Sequence, residues 1–258
     1  MQESNRFKMS IKNSLLFFVA GCLFFLTLPF PAQAQEIVVA STSLAGALAK
    51  AGGAKEIRVM TPSEMRHPPE YELKPSDLVK LEGANVVIYG GYERMVSKLL
   101  ETSKNRNMIA IQVDTATSPE NLIAQVRKIS KLLKTEKEEQ IWEQRFLEKL
   151  KVLQTKLASF SGKKAAVHRQ ALPFAGWAGL SVVQTINPGE LTPKAIADAI
   201  AQKPELIVDI LHFPVAKVIA ENAKCKYIQV INFPGVENTQ TLEDIFEYNS
   251  TQLMKAFW

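Results

Sequence analysis

Short apolar segments rich in Val and Ile alternate along this chain with amphipathic helical segments, and this alternation constrains the fold more than any other feature. Continuous apolar strands separated by helices indicate buried parallel sheet built from βα units. We therefore predict an α/β fold with two lobes, each with a roughly four-stranded parallel sheet flanked by helices. The predicted strands are Ile37–Ala40, Ile57–Met60, Asn85–Tyr89, Met108–Ile111, Ala165–His168, Val182–Ile186, Leu206–Ile210 and Tyr227–Ile231.

One long helical segment separates the two series of strands. Thr135 and Glu138 have the spacing of a capping box, and apolar residues then recur on one helical face for about 22 residues. We predict one long backbone helix that joins the lobes, and a bundle helix packed on a single domain is the alternative. The predicted organisation is a signal peptide (1–34), an N-terminal lobe (35–135), the linking helix (136–162) and a C-terminal lobe (163–258).

The first 34 residues have the three parts of a cleavable export signal: a basic start, a short apolar run and the small-residue motif ending at Ala34. The apolar run is shorter than the roughly 20 residues that span a bilayer. We expect a soluble extracytoplasmic protein after cleavage near Ala34. A lipid anchor on Cys22, which ends a lipoprotein-like motif, is the alternative.

Charge and motifs exclude several classes of function. Without residues 1–34, the chain has 28 basic and 25 acidic groups, interspersed as on solvated helices, so we expect no nucleic-acid partner. No motif of a hydrolase, a zinc protease or a phosphate-binding loop is present, and we predict that the protein is not an enzyme. With Cys22 removed, Cys225 has no disulfide partner within the chain.

The crevice of an open parallel sheet lies at the carboxyl ends of its strands. The three histidines of the chain, His67, His168 and His212, all follow predicted strands. We therefore expect them at the crevice between the lobes.

The segment from Pro69 to Leu78, P-E-Y-E-L-K-P-S-D-L, resembles the zinc- and manganese-binding proteins of bacterial ABC importers. The similarity extends to Ser118–Asn121 and to His168, and it covers essentially the whole chain after the signal. It implies a solute-binding protein with a metal ion held between two lobes and delivered to an inner-membrane permease. It further implies a monomer that carries one divalent transition-metal ion, zinc or manganese, and no organic cofactor.

The metal ligands that the resemblance implies depart from the family pattern. Pro69 occupies the first ligand position, and its side chain has no donor atom. His67 lies two residues earlier. Two roles are open for His67, a metal ligand or a histidine of a surface loop. At the second position stands Asp114, which is a ligand or a turn residue. The third position is matched by His168. At the fourth stands Asn232, a weak ligand. Asp209 and His212 are the candidates to substitute for it, and a cap of the following loop is the alternative role of Asp209.

Two hypotheses follow from this pattern. The first is a metal-binding component of an importer that uses a rearranged set chosen from His67, Asp114, His168, Asp209 and His212. The second is a protein of the same architecture that has lost binding of the bare ion, and that carries another small ligand, such as a metal chelate, or serves as a partner protein.

Overall fold

The computed structural model describes residues 36–62, 65, 70–102, 105 and 107–258. The predicted signal peptide and the alternative lipid anchor on Cys22 lie outside the described residues. Within these residues, two four-stranded sheets are present and every strand pair is parallel. The prediction of two α/β lobes is confirmed.

The first sheet has the strand order β2-β1-β3-β4. Its βα units put helices between consecutive strands, as parallel pairing requires. The elements of the N-terminal lobe are β1 (Ile37–Ala40), α1 (Ser43–Ala51), β2 (Glu56–Val59), a 3-10 helix (Pro75–Leu81), β3 (Ala84–Tyr89), α2 (Met95–Thr102), β4 (Ile109–Gln112) and α3 (Pro119–Leu133).

The second sheet repeats this arrangement with the order β6-β5-β7-β8. Three 3-10 helices, Ala158–Phe160, Arg169–Ala171 and Pro188–Glu190, connect its elements. The remaining elements are α4 (Glu136–Leu157), β5 (Lys164–His168), α5 (Leu172–Trp177), β6 (Ser181–Ile186), α6 (Pro193–Ala201), β7 (Leu206–Ile210), α7 (Lys217–Ala223), β8 (Lys226–Val230) and α8 (Leu242–Phe257).

The long helix α4 packs against the cores of both lobes. Phe146 and Leu150 lie in the core cluster that contains β1 and α1, while Leu157 lies in the cluster that contains β5 and β7. The last helix, α8, does the same, with Phe246 in the first cluster and Leu253 in the second. Two helices therefore contact both lobes.

Side-chain caps fix where several helices begin. Ser118 accepts a hydrogen bond from the Asn121 N–H at the start of α3, and Thr241 forms a capping box with Asp244 at the start of α8, as Ser and Thr commonly do before a helix.

The predicted capping box of Thr135 is wrong. The Thr135 hydroxyl instead donates to the backbone oxygen of Gly52 at 2.5 Å, because the loop after α1 packs against it. The neighbouring Gly53 has a left-handed φ of 91°, and a Cβ there would come within 2.6 Å of the Thr135 Cβ. The segment before β3, Pro75–Leu81, forms a 3-10 helix. Among the described residues, no helix is long and apolar enough to cross a membrane.

Candidate functional site

Each sheet has one switch point, which is the place where the chain order of neighbouring strands changes direction. The chain order reverses between β1 and β3 in the first sheet and between β5 and β7 in the second. Loops that leave neighbouring strands in opposite directions open a crevice at such a point. Ser41 follows β1, Gly90 follows β3, His168 ends β5 and Asp209 lies near the end of β7. These positions define the candidate site.

In the N-terminal lobe, Glu93 joins the two loops at the switch point. Its carboxylate is 6% exposed; Oε1 accepts hydrogen bonds from the Ser41 hydroxyl at 2.5 Å and the Gly90 N–H at 2.9 Å. Its other oxygen, Oε2, accepts the Tyr92 N–H at 3.1 Å. Glu93 was not among the residues predicted from the sequence. The feature that could have indicated it is that Glu93 is the one carboxylate in the short loop between β3 and α2, residues 90–94.

Asp114, a predicted metal ligand, follows β4 and is exposed. Its Oδ1 accepts the Ala116 N–H at 2.9 Å, and its backbone oxygen accepts the Asn121 side-chain amide at 3.2 Å. This pattern is typical of an Asx turn ahead of a helix. Its role as a metal ligand stays a prediction.

His67 and Pro69 lie outside the described residues. The segment that follows them is held by Asp77, which is 4% exposed. Its Oδ2 accepts the Tyr71 hydroxyl at 2.7 Å and the Lys74 N–H at 2.9 Å. Tyr71 and Asp77, which both belong to the segment that resembles the metal-binding family, are therefore hydrogen-bonded to each other.

In the C-terminal lobe, Asp209 is fully buried. Its Oδ2 accepts the Val215 N–H at 2.9 Å, the Ala216 N–H at 2.7 Å and the Tyr227 hydroxyl at 3.0 Å. Its Oδ1 accepts the Ile210 N–H at 2.9 Å. These bonds hold the loop between β7 and α7. They also occupy the carboxylate that a metal would need.

His168 lies beside Asp209 at the switch point. Val167 pairs with Val208, so the next residues on the two strands are His168 and Asp209. Side chains alternate between the two faces of a sheet, and both residues therefore lie on the same face. The His168 side chain is 1% exposed. Burial lowers its pKa, and the opposing effect of the Asp209 charge is smaller, so the imidazole is neutral at pH 7.

The hydrogen bonds of His168 determine which of its nitrogens carries the proton. Nδ1 accepts the Gln170 N–H at 3.1 Å. A neutral imidazole has one nitrogen that accepts and one that carries hydrogen, so the proton is on Nε2. Within the described part of the chain, this buried Nε2 has no hydrogen-bond partner. His168 therefore offers an N–H donor at the crevice in this conformation.

Two further predicted residues lie in the loops after β7 and β8. The His212 ring packs 4.8 Å from the ring of Phe233, and the buried Oδ1 of Asn232 has no hydrogen-bond partner among the described residues. His212 lines a cavity of about 840 Å³ between these loops and α1. Other residues that line the cavity include Ser43, Lys50 and Gln240.

The structure thus brings His168 and Asp209 together, while Asp114 lies on the loop after β4 of the other sheet. Across residues 36–62, 65, 70–102, 105 and 107–258, no group of three or more His, Cys, Asp or Glu side chains is arranged to hold a metal ion. His67 is not among these residues.

Comparison with known proteins decides the family. Residues 38–256 match the family described as zinc-uptake complex component A, periplasmic. The chain belongs to this family. The resemblance that the sequence indicated is confirmed, and the zinc-uptake component family consists of periplasmic metal-binding transport proteins rather than enzymes. No curated protein matches the chain.

Solved structures share the fold of this zinc-uptake component family member. A Mn-bound periplasmic metal binding protein from Candidatus Liberibacter asiaticus has a TM-score of 0.67 at 14% identity, over 86% of this chain and all of that one. The solute-binding protein FpvC from Pseudomonas aeruginosa in complex with Mn²⁺ has a TM-score of 0.65 at 15% identity, over 87% of this chain and 98% of that one. At these identities the similarity shows the fold alone.

Proposed function

We propose that this protein is the extracytoplasmic solute-binding component of an ABC-type importer, which captures a divalent ion such as zinc or manganese between its lobes and delivers it to an inner-membrane permease. The observation that carries the proposal is the buried Nε2 of His168, which has no hydrogen-bond partner among the described residues and lies at the switch point of its sheet. Imidazole nitrogen is a common ligand of zinc and manganese.

In this proposal, His168 is the contact that the C-terminal lobe makes with the ion. The N-terminal lobe contributes His67 and Asp114. His212, which lines the cavity between α1 and the loops after β7 and β8, is the candidate for a second nitrogen donor of the C-terminal lobe. Asp209 acts as a positioning residue, because its oxygens already accept four hydrogen bonds from the protein.

Ion capture through Nε2 has a structural consequence. A metal takes the lone pair of Nε2, so the proton must move to Nδ1. A protonated Nδ1 can no longer accept the Gln170 N–H. The 3-10 turn at Arg169–Ala171 must therefore rearrange when the ion binds, and the apo conformation favours release.

The proposal is tested by isothermal titration calorimetry of the chelator-treated protein with Mn²⁺ and Zn²⁺. We expect one site per chain, and we expect His168→Ala to weaken binding by at least about 100-fold, because loss of one ligand of a four-ligand site removes a metal bond. Asn222→Ala serves as a control, since Asn222 is exposed and its side-chain amide donates to the Val218 oxygen within α7.

Circular dichroism and thermal unfolding of the metal-free variants show whether they fold. The proposal is wrong if the folded wild-type protein binds neither ion, or if His168→Ala binds as tightly as the control variant does.

A second candidate function is favoured by the tautomer of His168. With the proton on Nε2, His168 offers a hydrogen-bond donor to a ligand, and the buried Oδ1 of Asn232 offers an acceptor. Such a pair is suited to a polar ligand, for example a metal ion already complexed by an organic acid, rather than to a bare cation. Calorimetry with Mn²⁺–citrate in place of Mn²⁺ distinguishes the two, because only this second function requires the organic acid for binding.

A further inference from the structure

The amino end of the second sheet carries a group of lysines, which we call the basal surface. Lys164 and Lys226 are the first residues of β5 and β8. Lys163 immediately precedes β5, and Lys203 and Lys224 follow α6 and α7 in the left-handed conformation, with φ of 52° and 53°. Four of these side chains are exposed and Lys163 is partly exposed.

Backbone contacts show that these lysines lie next to one another. The Glu205 N–H donates to the Lys164 oxygen at 2.8 Å, and the Lys226 N–H donates to the Glu205 oxygen at 3.0 Å. Glu205 also forms an ion pair with Lys163 at 3.0 Å. This ion pair offsets one of the five lysine charges, so the basal surface remains positive.

An exposed aromatic residue lies beside the lysines. Trp258 is 83% exposed, and its ring is 6.0 Å from that of Phe160. Phe160 in turn packs 5.5 Å from Phe257, and the Lys163 ammonium lies 4.7 Å from the centre of the Phe257 ring. The indole of Trp258 therefore extends from the same surface as the lysines.

We propose that the basal surface binds the anionic headgroups of a phospholipid bilayer. Lysines near a membrane are attracted by anionic lipids, and an indole prefers the boundary between headgroups and acyl chains. A protein of a periplasmic family meets such a surface at the membrane. The surface lies at the opposite end of the strands from His168, so binding through it leaves the crevice open.

The exported protein is tested by co-sedimentation with vesicles of phosphatidylcholine, with and without phosphatidylglycerol. We expect binding only where phosphatidylglycerol is present, and release at high salt, because salt screens exposed charges. The triple variant Lys203→Gln, Lys224→Gln, Lys226→Gln should bind about 100-fold more weakly, since each lysine near the surface contributes about fivefold.

A matched variant with Lys55→Gln, Lys131→Gln and Lys137→Gln loses the same net charge from exposed lysines elsewhere, and it should bind almost like the wild-type protein. Equal loss in both triple variants, equal binding to both kinds of vesicle, or no binding would overturn the proposal.

The position of Trp258 is tested separately with brominated phosphatidylglycerol, which quenches only indoles that enter the bilayer. Trp142 is buried and Trp177 is partly buried. Quenching should therefore be present in the wild-type protein and absent in Trp258→Phe. Quenching of the same extent in this variant as in the wild-type protein would show that Trp258 does not contact the lipid, and would contradict the proposed orientation.

Discussion

The Gln170 N–H lies 3.1 Å from Nδ1 of His168, and this contact requires the proton of the neutral ring to be on Nε2. The sequence predicted His168 as a site residue from its place after a strand. It could not predict the tautomer, which depends on how the chain turns after β5. In the two proposed functions, His168 binds an ion or a polar ligand. The choice between them depends on whether the Gln170 N–H in this turn keeps donating to Nδ1.

Nuclear magnetic resonance of the ¹⁵N-labelled imidazole tests this tautomer directly. In the metal-free protein at pH 7, we expect Nε2 to be protonated and Nδ1 to be bare, because Nδ1 accepts the Gln170 N–H. If Zn²⁺ then binds Nε2, the proton should appear on Nδ1. A ring that is protonated on Nδ1 before any metal is added would contradict the described contact.

Asp77 gives the second test at the scale of a residue. Burial raises its pKa, but hydrogen bonds from the Lys74 N–H and the Tyr71 hydroxyl, together with the Lys80 charge, outweigh burial and lower the pKa below its usual value. A carboxyl with a lowered pKa in the folded state stabilises the protein above its unfolded pKa of about 3.9, and this contribution is lost as the pH falls through the folded pKa.

We therefore expect Asp77→Asn to lower the free energy of unfolding by about 2 kcal/mol at neutral pH, the usual contribution of hydrogen bonds to a charged group. The difference from wild type should shrink as the pH falls below about 4. Urea unfolding at a series of pH values measures it. Asp198→Asn is the control, because Asp198 pairs with Lys194 on an exposed helix, where such pairs contribute little.

At the scale of elements, helix α4 shows what a local pattern can predict. Its apolar spacing predicted the linking helix over residues 136–162. The helix is present, but α4 ends at Leu157, and a 3-10 helix, Ala158–Phe160, follows it. The strands were also predicted to within about one residue, because their apolar runs are local signals. The packing of α8 against both lobes and the bond from Thr135 to Gly52 depend on contacts distant in sequence, so no local pattern indicates them.

The aromatic cluster between α4 and α8 provides a test of this packing. Phe146 is fully buried and stacks on Trp142 at 4.8 Å, while its edge meets Phe246 at 5.6 Å. Phe146→Ala should lower the free energy of unfolding by about 3–5 kcal/mol, because it removes a large ring and leaves a cavity. Denaturant unfolding measures the effect.

The neighbouring residue on the same helix provides a matched control. Leu147 is 46% exposed, so Leu147→Ala should change the free energy of unfolding by no more than about 0.5 kcal/mol. Similar losses in the two variants would show that α4 does not present the described face to the core.

At the scale of the whole molecule, the candidate site combines residues that lie far apart in sequence. Glu93 fixes the crevice edge of the first sheet, and His168 with Asp209 forms that of the second. The resemblance to the metal-binding family implied His168 as a ligand and Asp209 as a substitute ligand or a loop cap. No local pattern indicated Glu93, because its bonds to Ser41 and Gly90 are determined only by the folded chain. The same holds for the hydrogen bonds that Asp209 accepts from loop backbone, and its role as a metal ligand stays a prediction.

The capture of a divalent ion is tested most directly by the metal content of the exported protein, measured by elemental mass spectrometry after exposure to zinc or manganese. We expect one equivalent per chain, lost in His168→Ala, and a higher unfolding temperature with metal than with chelator, because a ligand that binds only the folded state stabilises it. A folded protein without bound metal, whose unfolding temperature does not change when either ion is added, would contradict ion capture.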